Sequence, residues 1–207
     1  MKVSVLFSAG KDSSLAALLL SPFFEIELIT CNFNILQTWK IARSVAKELG
    51  FPHRVITPKS EIIEKALDII MQDKYPNNAI NYIHRKALEH VARECNNNKT
   101  TIIADGTRRD DRVPRLSLAE VQSIEDKYKV NYIRPLIGYG RSAVNILVNH
   151  YFEIEEKESE KIEKADYESE LRELIRRRYK EEMIYEIFPQ HHIQSRVIRF
   201  KGVQVIK

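Results

Sequence analysis

The chain has 207 residues, 43% hydrophobic and 30% charged, with 33 Lys and Arg against 29 Asp and Glu for a net charge of +4. That length suits one well-buried domain with a short appendage, and the mild positive balance falls short of the excess that by itself marks a nucleic-acid binder. Cys31 and Cys95 lack C-x-x-C spacing, which argues against a disulfide framework or zinc site, and no apolar run reaches membrane length or signal-peptide layout, so a cytoplasmic protein is expected.

In chain order, Val3 to Phe7 is a short β-rich run, and Leu15, Leu18 and Leu19 then share one helical face. Ile26 to Phe33 reads as a second strand. The helix after it carries Ala42, Val45, Ala46 and Leu49, with Gly50 as its C-terminal cap and Pro52 blocking continuation. "HRVIT" is a third strand, and Ile63, Ala66, Leu67 and Ile70 mark another helix. Beyond "YPNN" comes a long helix striped by Ile80, Ile83, Ala87, Leu88, Val91, Ala92 and Cys95. "TTIIADG" is a fourth strand, and Ser117 with Glu120 has capping-box spacing. "VNYIRPLIG" is a fifth strand, followed by a helix over Ser142 to Tyr151. Alternating strands and helices predict a parallel sheet covered on both faces, with ligands beyond the carboxyl ends of the strands.

After residue 151 charge dominates. Tyr167, Leu171, Leu174 and Ile175 keep a narrow helical stripe, with Glu168–Arg172 and Glu173–Arg177 spaced i, i+4. The end of the chain reads as a hairpin around Lys201-Gly202. Residues 1–151 are therefore expected to be the main domain, and 152–207 a charged helical and hairpin extension.

"FSAGKDSS" is a tight turn between strand and helix. It fails the Walker A pattern, because Val5 stands where a glycine is needed and Asp12 follows the lysine. What remains is a helix start whose free N–H groups and dipole suit an anion. Ser8, Ser13 and Ser14 add hydroxyls and Lys11 adds charge. Asp12 beside a polyphosphate requires an intervening divalent cation, which points to Mg²⁺. The competing structural reading makes Asp12 an N-cap and the serines turn formers.

The order strand, Ser8-x-Gly10-x-Asp12-Ser13, helix resembles the PP-loop of the N-type ATP pyrophosphatases, with Ala9 where that superfamily usually has glycine. "IIADGTRRDD" is similar to its second signature, with Gly106 and the pair Asp110–Asp111, and Arg134-Pro135-Leu136 matches a third. The whole-chain pattern also looks like an archaeal group of PP-loop proteins.

The resemblance implies an adenine-nucleotide alpha-hydrolase-like, Rossmann-like fold of five parallel strands, and Mg²⁺-dependent cleavage of ATP between its α- and β-phosphates. An acceptor oxygen would be adenylated and pyrophosphate released. Ser8, Ala9, Gly10, Lys11, Asp12, Ser13 and Ser14 would cradle the pyrophosphate end, joined by Gly106, Thr107 and Arg141. Asp12, Asp110 and Asp111 would hold Mg²⁺ and, with Lys11, form the catalytic set. Cys31, Asn32 and Phe33 would meet the adenine. The expected partners are ATP and an unidentified acceptor, with tRNA and a second copy of the chain as further candidates and no membrane.

Other residues read two ways. Arg108, Arg109, Arg112 and Arg115 either bind an anion or pair with neighbouring acids. Cys95 lies on an apolar stripe and reads as core, and Cys31 as a buried strand cysteine. Arg176-Arg177-Arg178 suits a helix C-terminus better than an RNA contact. His191 and His192 make a weak metal signal. Besides the adenylating enzyme, the sequence permits a non-catalytic adenine-nucleotide sensor, or a tRNA thiolase-type sulfur transfer that the lack of paired cysteines disfavours.

Overall fold

The structure, a computed structural model, describes residues 1–97, 101–189 and 191–202. β1 (Lys2–Leu6), β2 (Glu25–Cys31), β3 (His53–Ile56), β4 (Ile102–Ala104) and β5 (Asn131–Ile133) form a parallel sheet in the order β3-β2-β1-β4-β5. Between them run α1 (Lys11–Leu20), α2 (Trp39–Leu49), α3 (Ser60–Asp73), α4 (Asn77–Asn97), α5 (Leu118–Tyr128) and then α6 (Arg141–Tyr151). The expected α/β architecture is observed. The chain builds outward from β1 to β3 and then returns to place β4 on the other side of β1, so the strand order reverses between β1 and β4. A crevice opens at such a reversal.

Period-two alternation sends β1 side chains to opposite faces. Val3, Val5 and Phe7 pack beneath α1, α2 and α6, while Leu6 joins Ile29 and Ile103 beneath α4 and α5. Leu15, Leu28 and Ile103 are fully enclosed, and truncating any one to Ala costs about 2–5 kcal/mol. Gly50 closes α2 in the left-handed region at φ 75°. Ser117 and Glu120 form the capping box that opens α5. The fifth strand is shorter than expected: it ends at Ile133, because Pro135 has no N–H for the ladder and the chain turns through Arg134–Ile137.

The last quarter of the described chain differs from the expected helical and hairpin extension. Phe152–Glu158 is a strand, β6, which pairs antiparallel with β7 (Ile193–Phe200). The alternation of Phe152, Ile154 and Glu156 fits a ribbon with one packed face, and Phe152 and Val197 enter the core above α1. The second arm of the hairpin expected around Lys201-Gly202 lies outside the described residues. Between β6 and β7 stand α7 (Tyr167–Arg178) and α8 (Glu182–Ile187), whose apolar stripe packs against α3 and α4. Both expected i, i+4 pairs form, Glu168 with Arg172 and Glu173 with Arg177.

Candidate functional site

β1 runs into the turn Ser8–Gly10. Ala9 is fully buried and takes φ 63°, a left-handed conformation that costs a residue with a Cβ about 1–2 kcal/mol. Neighbours hold it there. The Ala165 N–H donates to the Ser8 carbonyl at 3.2 Å and the Val197 N–H to the Ala9 carbonyl at 3.1 Å, so β7 and the segment before α7 clamp the turn. The Ser13 and Ser14 hydroxyls donate to the Gly10 carbonyl at 3.2 and 2.9 Å, and the Ser8 N–H donates to Ser13 Oγ. Ser14 is fully buried, so it sets the turn instead of facing a phosphate as expected. Gly10 caps α1 without a side chain, which leaves the first-turn amides of Lys11, Asp12 and Ser13 without a side-chain acceptor. Lys11 is drawn aside to Glu156 of β6 at 3.2 Å.

The loop after β4 meets this turn at Gly106. A Cβ at Gly106 would lie 2.7 Å from the Asp12 carbonyl carbon and the Ser13 nitrogen, so glycine permits the contact. Just before it, Asp105 is buried and bonded to His84 Nε2 at 2.6 Å, to the Tyr132 hydroxyl, and to the Thr107 N–H at 2.9 Å. Burial would raise its carboxyl, but those three partners outweigh it and hold the group below the usual range. The network fixes the start of the loop, and Thr107 is buried within it.

Beyond it the Arg108 guanidinium stands among three carboxylates. Its Nη2 lies 2.5 Å from Asp111 Oδ1, and its Nε lies 3.7 Å from Asp12 Oδ2 and 3.8 Å from Asp110 Oδ1. Burial and Asp111 push the Asp12 carboxyl up, opposed by Arg108. Asp110 is held low, chiefly by the Arg141 N–H that it accepts at 2.8 Å. Arg141 thus reaches the site through its backbone at the start of α6. Asp12 Oδ1 and Arg108 Nη1 are buried and make no hydrogen bond.

Among the described residues no three acidic, His or Cys side chains come close enough to hold a metal by themselves. Asp12 nevertheless keeps a buried oxygen without a hydrogen bond beside the first-turn amides of α1. That partial set suits Mg²⁺, which is held by one or two carboxylates together with phosphate oxygens and water.

The third loop follows β2. Asn32 is buried and its amide donates to the Leu36 carbonyl and Thr38 Oγ1. The Phe33 N–H, where adenine was expected, is already engaged: it donates to both oxygens of Glu170 on α7 at 3.0 Å, and the Ile35 N–H adds a bond at 3.1 Å. Burial pushes the Glu170 carboxyl up to about 7, against these amides. Beside this loop opens a cavity of about 520 Å³ between Leu36–Ile41 and the later helices, its wall including Ile162, Arg172 and Tyr185. Cys31 and Cys95 are buried and their thiols are pushed up by burial. His191 pairs with Glu158 at the ribbon's end.

The structure therefore gathers Ser8, Ala9, Gly10, Asp12, Ser13, Gly106, Thr107, Asp110, Asp111 and the Arg141 backbone around one crevice. Lys11 is turned to β6, and Cys31, Asn32 and Phe33 serve a loop whose amides face Glu170. Sequence reasoning missed Asp105, Glu170 and the central position of Arg108. Asp105 carried one usable signal, its place at the end of a β4 strand of otherwise apolar residues.

Known proteins bear on this geometry as follows. The chain matches, over residues 1–199, the family described as "Family of unknown function (DUF7411)". "Uncharacterized protein MJ0690" of Methanocaldococcus jannaschii is 45% identical over 202 residues, which cover 97% of each chain. A crystal structure from the same species, described as a "predicted subunit of tRNA methyltransferase", superposes with a TM-score of 0.87 at 44% identity, covering 98% of both chains. An NH3-dependent NAD synthetase from Campylobacter jejuni aligns over 72% of this chain and 62% of its own at a TM-score of 0.46 and 15% identity. The match over nearly the whole chain and the identity to the archaeal relative place this protein in the DUF7411 family.

Proposed function

We propose that the chain binds ATP with Mg²⁺ and cleaves it between the α- and β-phosphates, passing the adenylyl group to an acceptor oxygen. One observation carries this reading: Gly106 seats the β4 loop on the Asp12 backbone, and Arg108 ties Asp12 to Asp110 and Asp111. Two sequence signatures far apart in the chain thus share one crevice. The first-turn amides of α1 bind the departing pyrophosphate, with the helix dipole favouring its charge. Asp12 presents its free oxygen, and the Arg141 N–H keeps Asp110 ionised and oriented. Bound Mg²⁺ supplies the positive charge that lets carboxylates and phosphates share the site. The chain's contribution is positioning and preorganised charge. The acceptor's place is the 520 Å³ cavity beside the β2 loop. Ser159–Glu163 form part of its wall, and the same segment continues to Ala165 on the Ser8 carbonyl.

The related M. jannaschii structure, described as a predicted tRNA methyltransferase subunit, supports tRNA as the acceptor or as the setting in which the acceptor is met. A nucleotide sensor is the second reading, favoured by one feature: Arg108 and Glu170 already satisfy groups that catalysis would use. Sulfur transfer through a protein persulfide is not supported, because both cysteines are buried as neutral thiols.

The test incubates the protein with [α-³²P]ATP, Mg²⁺ and cell extract, with and without nuclease. AMP that appears with extract supports adenylation, and its loss after nuclease identifies RNA as the acceptor. ATP binding without any AMP selects the sensor.

A further inference from the structure

We propose that Arg108 is a built-in counter-cation: it occupies the acidic site until a triphosphate arrives, so a divalent metal enters together with the nucleotide and not before it. The inference rests on the reading of this crevice as a nucleotide site and adds an order of binding to it.

Asp12, Asp110 and Asp111 share this crevice, but among the described residues no three acidic side chains stand close enough to hold a divalent cation by themselves. Here a guanidinium is already among them. Arg108 is 7% exposed, its backbone N–H and Nε both bond to Asp111 at 2.7 and 3.0 Å, and its Nε faces Asp12 and Asp110. Lys11 is paired with Glu156 and Lys164 with Asp166 at 2.7 Å, while Arg109 and Arg141 lie on the Asp110 side of the crevice.

The pairing is also incomplete. Arg108 Nη1 is buried without an acceptor and Asp12 Oδ1 is buried without a donor or cation. A buried polar group without a partner is unfavourable, so both atoms favour a state that completes them. A triphosphate does so. Its oxygens accept from the guanidinium fork, a geometry arginine suits, and the released Asp12 takes the metal. The tight bond to Asp111 keeps the arginine in the crevice while its outer edge changes partner.

The test follows Mn²⁺ binding by electron paramagnetic resonance on the full chain, with α,β-methylene-ATP as the uncleavable nucleotide. Wild type is expected to bind Mn²⁺ at least tenfold more tightly with the analogue than without it. Arg108→Gln is expected to gain at least tenfold in Mn²⁺ affinity without nucleotide and to lose affinity for the analogue. Arg108→Lys, which keeps the charge and guards against a folding defect in the first variant, is expected to keep Mn²⁺ out. Wild type that binds Mn²⁺ equally with and without the analogue overturns the inference, as does an Arg108→Gln protein with unchanged Mn²⁺ affinity. These outcomes are separate from catalysis: gated Mn²⁺ binding without AMP would sink the enzymatic reading alone, and AMP formation with ungated Mn²⁺ would sink this one alone.

Discussion

Gly106 and Asp12 touch backbone to backbone, and a Cβ on Gly106 would stand 2.7 Å from the Asp12 carbonyl carbon. The obstruction is main chain and cannot swing away. Gly106→Ala must push the β4 loop off α1, with an expected loss of about 1–3 kcal/mol in urea unfolding and a clear fall in ATP affinity. A variant with wild-type stability and affinity would show that the two segments are not held in contact.

Ala9 tests the turn itself. Ala9→Gly removes the left-handed penalty of about 1–2 kcal/mol but adds backbone freedom worth about 0.5–1 kcal/mol and deletes a buried methyl worth about 0.8 kcal/mol. The expected net change is under about 1 kcal/mol. Ala9→Val brings a β-branched side chain to φ 63° in a fully buried place and should cost more than about 2 kcal/mol. Chemical denaturation of both variants distinguishes this from an ordinary flexible turn, in which neither change would matter.

Glu170 gives the fold a pH dependence with a definite sign. Its carboxyl is raised to about 7 from an ordinary 4.5, so the folded state holds a proton that the unfolded chain has released between those values. Stability must therefore fall as pH rises from about 4.5 to 7 and level off above, by at most roughly 3 kcal/mol from this group. Glu170→Gln should flatten that segment of the profile in urea titrations from pH 4.5 to 8. An unchanged slope would show that Glu170 is ionised throughout.

The cavity beside the β2 loop is the proposed acceptor site. Gln37 is an exposed residue on its wall, and Gln37→Trp should fill part of the 520 Å³. Acceptor-dependent AMP formation is expected to fall at least about tenfold, a barrier change of about 1.4 kcal/mol, with ATP affinity within twofold of wild type. Equal losses in both, or in neither, would remove the cavity from the reaction.

Much of this was legible locally. The alternation Val3-Val5-Phe7 and the stripe from Ile80 to Cys95 fixed elements because a period needs no tertiary information. The Ser117 cap and Gly50 stop were likewise written within a few residues. Apolar Leu136 and Ile137 after Pro135 mimic a continuation of β5, which ends at Ile133. A charged, half-exposed strand such as Phe152–Glu158 looks like a charged helix in sequence when its pairing strand, Ile193–Phe200, lies beyond two intervening helices.

In the site, Asp12 stood out as a carboxylate in a turn suited to an anion, and Gly106 and Asp110 through the resemblance to the second PP-loop signature. Arg108 did not, since four arginines in one loop are equivalent until geometry buries one of them. Glu170 was hidden for the same reason: its partners are backbone amides 135–137 residues away.

Asp12 is proposed to serve a metal-bound triphosphate cut at its α-phosphate. The most direct measurement compares Mg²⁺-dependent AMP release from [α-³²P]ATP by wild type and Asp12→Ala, with extract as acceptor source. The account predicts AMP with equimolar pyrophosphate from wild type and at least about a hundredfold less from the variant. An Asp12→Ala protein that releases AMP within twofold of wild type, or a wild type that yields ADP instead, would contradict it.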